Sequence, residues 1–121
     1  MSFLLRLVAV AVLLVSLVLM IGPFGGFEAS TGVSDKLAHF GVFALILWSF
    51  GVLFPRLQRI RAALLAVALG GAVEVVQGMV GRDADLLDLV ADAAGILAAL
   101  ALWATWRGFR PRAALQISNT R

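Results

Sequence analysis

Four long apolar runs, separated by short polar interruptions, set the pattern of this chain. The first, Phe3 to Ile21, carries one charge, Arg6, near its start, and Gly22-Pro23 ends it. Phe24 to Ser34, rich in Gly, Ser and Thr, reads as a loop. The second run is Leu37 to Phe54, closed by Pro55 and a basic turn with Arg56, Arg59 and Arg61. The third, Ala62 to Val80, is interrupted by Glu74 and Gln77; the fourth, Leu86 to Trp106, carries Asp88 and Asp92 near its start. Each is close to the roughly 20 residues that a helix needs to cross a bilayer. The pattern predicts helices over about 3–22, 36–54, 61–80 and 86–106, followed by a polar, basic tail over 107–121. Trp103 and Trp106 close the fourth run where interfacial aromatics belong, and Phe24, Phe27 and Trp48 read the same way. Neither a linker nor an internal repeat divides the chain, so 1–121 is read as a single transmembrane domain.

Composition sharpens this. The chain has 121 residues, 62% of them hydrophobic, and a mean hydropathy of +1.02. Soluble domains run nearer ~45–50% apolar, and a chain this short has too little interior to hide the excess. The expected fold is all-α: an integral membrane four-helix bundle. Cysteine is absent, which removes disulfides and thiolate metal sites. The net charge of +3 and pI of 11.1 do not indicate nucleic acid, because the basic residues lie between apolar runs. A basic start before an apolar stretch also fits a signal peptide, but no small-x-small cleavage site follows and Leu7 to Ile21 is long for one.

Charge sets the expected orientation. With the N-terminus in the cytoplasm, Arg6, Arg56, Arg59, Arg61, Arg107, Arg110, Arg112 and Arg121 all fall inside, eight of ten basic residues. All seven acids fall on or near the other side. The positive-inside rule thus places both termini in the cytoplasm and the acidic segments outside, as in a multi-pass protein of the bacterial inner (cytoplasmic) membrane.

Three polar groups then share the outer end. Asp35, Lys36 and His39 open the second helix; Glu74 and Gln77 lie ~5–9 Å below the outer end of the third; Arg82, Asp83, Asp85, Asp88 and Asp92 enter the fourth. Asp85, Asp88 and Asp92, at i, i+3 and i+7, share one helix face. Gly70, Gly71, Glu74, Gln77 and Gly78 cluster on one side of the third helix, and Asp88, Asp92, Gly95 and Ala99 form a stripe on the fourth. The two faces are expected to meet, since small residues allow close approach and polar side chains bond across the seam. The acids outnumber Lys36, Arg82 and His39. Either one of Glu74, Asp88 and Asp92 is neutral, or the site holds a cation or a cationic ligand group.

The order Asp35-Lys36-x-x-His39-Phe40, Glu74-x-x-Gln77 and Gly81-Arg82-x-x-Asp85-x-x-Asp88-x-x-x-Asp92-x-x-Gly95 resembles the pattern of the VanZ-like membrane protein family. The resemblance covers about residues 35 to 100. It implies that Asp35, Lys36, His39, Glu74, Gln77, Arg82, Asp85, Asp88 and Gly95 are motif positions. Where this chain has Asp92 the family often has Asn. The family takes its name from a protein linked to resistance to the glycopeptide teicoplanin, by a mechanism that is not established.

Three functions remain open at this point. The first is a non-enzymatic envelope protein whose outer pocket, formed by Asp35, Lys36, His39, Glu74, Gln77, Arg82, Asp85, Asp88 and Asp92, binds an amphiphile such as a lipid-linked cell-wall precursor or a lipoglycopeptide. The second is a membrane-embedded hydrolase or transferase acting on a lipid headgroup, with His39, Glu74 and Asp88 as candidate acid–base groups. No nucleophile elbow or phosphate loop supports it. The third is a small proton-coupled carrier or an oligomeric pore; four helices are few for a monomeric carrier, so transport would need a homo-oligomer. Lys36 and Arg82 could grip an anionic headgroup, or simply pair with nearby carboxylates. His39 could be a base or metal ligand, or a buried histidine paired with an Asp. One histidine without cysteine argues against a zinc site, and no cofactor is expected. Membrane lipids are the expected partners, and nucleic acid is not one.

Overall fold

The computed structural model of the protein describes residues 2–22, 34–81 and 85–108, with side chains to residue 105. They form four helices: α1, Phe3–Ile21; α2, Asp35–Leu53; α3, Arg59–Met79; and α4, Leu86–Gly108. No strand occurs among the described residues. Each helix is long and apolar enough to cross a membrane.

Local chemistry sets the helix ends. Ser2 and Ser34 cap α1 and α2, their hydroxyls accepting hydrogen bonds from the amides of Leu5 and Leu37. The Ser34 cap starts α2 at Asp35, one residue before the expected start. Pro55 stops α2, and the Leu57 amide closes a turn onto the Phe54 carbonyl at 3.0 Å. Beyond α3, Gly81 has a φ of +78°, the left-handed conformation that ends many helices. Asp85 caps α4, its Oδ1 accepting from the Leu87 amide at 2.9 Å.

The helices run alternately up and down. Arg6 at the start of α1 lies beside Phe54, Pro55 and Arg56 between α2 and α3. The Arg59 guanidinium stacks on the Trp103 ring at 4.9 Å, joining the start of α3 to the end of α4. Arg59, expected in a turn, is the first residue of α3 because this contact carries it into the bundle. The α2–α4 interface is the most extensive, and α2 also touches α1 and α3. The core is Met20, Phe43, Ile46, Leu47, Ala62, Ala63, Ala66, Val73 and Ile96.

Around this apolar core, the outer surface and several buried positions differ from those of a water-soluble bundle. Leu14, Val18, Leu64, Val75, Leu97 and Leu102 are exposed, while Ser16, His39, Ser49, Gln77, Asp88 and Asp92 are buried. Apolar side chains outside and hydrogen-bonding groups inside are what hydrocarbon solvent requires.

Candidate functional site

The polar residues gather at the end of the bundle opposite Arg6, Arg56 and Arg59. Their meeting depends on one close approach. A Cβ on Gly95 of α4 would collide with the Phe40 carbonyl of α2, so only glycine permits this backbone contact. One turn before Gly95 is Asp92, and one residue before Phe40 is His39. Both side chains are wholly buried, and His39 Nδ1 lies 2.8 Å from Asp92 Oδ1.

The other face of the imidazole is acidic too. His39 Nε2 lies 3.8 Å from Asp88 Oδ2 and 3.9 Å from Asp35 Oδ2, beyond hydrogen-bonding distance. Asp88 is buried and Asp35 is half-buried. Lys36 Nζ sits above them, 3.3 Å from Asp85 Oδ2 and 3.7 Å from Asp88 Oδ1. Asp85 lies outside the helices, and its carboxyl is held below the ordinary carboxylate range. The Leu87 amide is the main cause; desolvation opposes it, and Lys36 adds to the lowering.

Glu74 turns inward from α3. It offers an oxygen within 4.8 Å of donor atoms of His39 and Asp92. Neither of its carboxylate oxygens is hydrogen-bonded, and both are buried. Asp92 Oδ2 and His39 Nε2 are likewise buried without a hydrogen bond. Asp88 Oδ1 is a fifth such atom. Buried polar atoms are ordinarily satisfied, so five unmet atoms in one small volume are an exception that calls for an explanation.

The structure thus brings together Asp35, Lys36, His39, Glu74, Asp85, Asp88 and Asp92. Lys36 is engaged by its two carboxylates, as the plainer reading expected. Gln77 departs from expectation: its amide donates to the Met20 carbonyl of α1 at 2.7 Å, and it is buried there. Residues three apart on a helix lie about 60° apart around its axis, so Glu74 meets α4 while Gln77 meets α1. The expected seam between the glycine face of α3 and the α4 stripe is also corrected. Gly70 does lie on it, 3.0 Å from Asp92 Oδ2 to a would-be Cβ, but nothing stands within 4 Å of Gly71, Gly78 is exposed, and Gly95 packs on α2. Arg82, Phe24, Phe27, the Trp106 side chain and the basic tail lie outside the described residues.

A second feature escaped the sequence reading. An apolar groove of about 990 Å³ runs between α2 and α4 from Phe40, beside the polar cluster, past Trp48 to Arg59 and Trp103. Its floor is small: Ala44 and Gly51 on α2, Ala98 and Ala99 on α4. That spacing on two helices was the available signal. Trp48, expected as an interface anchor, lines this groove. Compared with protein-family models, with curated proteins and with solved structures, the chain matches none.

Proposed function

We propose that this chain is a VanZ-like multi-pass protein of the bacterial cytoplasmic membrane whose polar end faces outward and binds an amphiphilic, lipid-linked ligand. One observation carries the reading: a cluster of unsatisfied acceptors at one end of four membrane-length helices, adjoining an apolar groove. A head rich in donors would satisfy the carboxylates, and a chain would lie in the groove. Lys36 is already paired, and the described cluster has five carboxylates. The favoured head therefore carries hydroxyl, amide or ammonium groups, as saccharide–peptide heads do. Both termini lie on the cytoplasmic side, following the arginines.

The test is retention of a lipid-linked saccharide or a lipoglycopeptide by vesicles containing the protein. Glu74→Gln is expected to weaken binding at least tenfold and, in cells, to abolish any teicoplanin protection that the wild type confers. Unaltered binding by folded Glu74→Gln and Asp92→Asn variants would end this reading. The His39–Asp92 hydrogen bond favours a second one, a hydrolase or transferase with His39 as base and Asp92 as its orienter. Release of a cleaved headgroup, lost in His39→Gln, would establish it.

A further inference from the structure

We propose that His39 Nε2, Asp35 and Asp88 bind a divalent transition-metal ion, and that Asp92 fixes the imidazole for it. The inference stands on donor geometry and not on the amphiphile reading. Asp92 Oδ1 is 2.8 Å from His39 Nδ1. A carboxylate accepts, so the ring donates from Nδ1, and the neutral imidazole presents its lone pair at Nε2. That atom is in a wholly buried side chain and makes no hydrogen bond. Ahead of it stand two further acceptors, Asp88 Oδ2 at 3.8 Å and Asp35 Oδ2 at 3.9 Å. The three donor atoms lie within 4.8 Å of one another.

Three electron-pair donors gathered this closely repel unless a positive charge joins them, either a proton on Nε2 or a bound cation. At these distances a proton on Nε2 makes no hydrogen bond to either carboxylate, whereas a cation can touch all three donors. Zinc binds nitrogen and oxygen at about 2.1 Å, so two atoms less than about 4.2 Å apart can share it. Both distances from Nε2 meet that condition. A carboxylate on the far ring nitrogen is the usual support of a metal-bound histidine, and Asp92 occupies that place. Asp35 is partly exposed, giving a route from solution. One imidazole and two carboxylates, with room for water, suit Zn²⁺ or Mn²⁺ rather than a soft ion. The sequence, with a single histidine, gave no metal motif because the oxygens come from two helices, four and forty-nine residues away.

The experiment uses the full chain in detergent, stripped with a chelator and titrated with Zn²⁺ alone in a calorimeter. One ion per chain is expected, bound at micromolar concentration or below. His39→Gln and Asp88→Asn should each weaken binding more than tenfold, and Asp92→Asn by ~10–100-fold as an outer-shell change. Lys36→Met retains every donor and removes the ammonium 3.7 Å from Asp88 Oδ1, so binding should tighten several-fold. No saturable binding, unchanged affinity in His39→Gln, or no tightening in Lys36→Met would overturn the proposal. If the histidine variant does not fold, X-ray absorption of the Zn²⁺-loaded wild type decides. Imidazole scattering is expected, and oxygen-only coordination refutes the site.

Discussion

His39 and Asp92 are worth more as a pair than either is alone, because both are wholly buried and no water is at hand to replace a lost partner. Asp92→Asn retains an oxygen that can accept from Nδ1 and should cost about 1 kcal/mol. Asp92→Ala leaves the ring N–H unmet and should cost about 3 kcal/mol. Unfolding in mixed micelles, followed by helical circular dichroism, measures the difference. Asp85 gives a prediction of another kind, since it lies outside the helices. Its carboxyl is held below the ordinary range by the Leu87 amide and by Lys36. Its contribution is therefore present above the unfolded carboxylate value and is lost as pH falls through the lower folded value. The stability gap between wild type and Asp85→Ala should be constant near neutrality and close progressively below about pH 4. A gap that persists in acid would show that the carboxylate charge is not what supports the cap.

At the scale of the helix, glycines on neighbouring helices have opposite meanings. Gly95 faces the Phe40 backbone, which cannot yield without moving α2. Gly95→Ala should cost about 2 kcal/mol or more and loosen the His39–Asp92 contact one turn away. Gly71 has nothing within 4 Å, and Gly71→Ala should stabilise by about 0.5–1 kcal/mol through helix propensity. Thermal inactivation of the two variants side by side separates a packing glycine from a permissive one. The sequence made the helices legible, since apolar runs, Pro55 and Gly22 are local signals. It did not make partners legible. Glu74 and Gln77 look like one polar unit at i, i+3, yet they straddle the boundary between two neighbouring helices. Arg59 looked like part of a turn because its reasons for being helical, Gly51 and Trp103, are supplied by other helices. Similarly, nothing near His39 in sequence singles out Asp92, 53 residues on, without the close approach at Gly95.

At the scale of the whole molecule, the two ends of the bundle differ in kind. Arg6, Arg56 and Arg59 share one end, and the described acids lie toward the other. The polarity was legible from charge counting alone, because it requires only that apolar runs alternate in direction. The inward turn of Glu74 was not, because it depends on where three helices touch. Translocating an arginine across hydrocarbon is costly, whereas acids impose little bias, so the arginine end should remain in the cytoplasm. The absence of native cysteine allows this to be read directly with a membrane-impermeant maleimide on intact cells. A cysteine at Val80, exposed at the end of α3 on the acidic side, should be labelled from outside. A cysteine at Gln58, in the turn before α3 at the arginine end, should react only after the membrane is opened. The reverse pattern would place the cluster in the cytoplasm, where it could not meet a ligand arriving from outside. The His39–Asp92 geometry would survive that result, but the envelope function proposed for it would not.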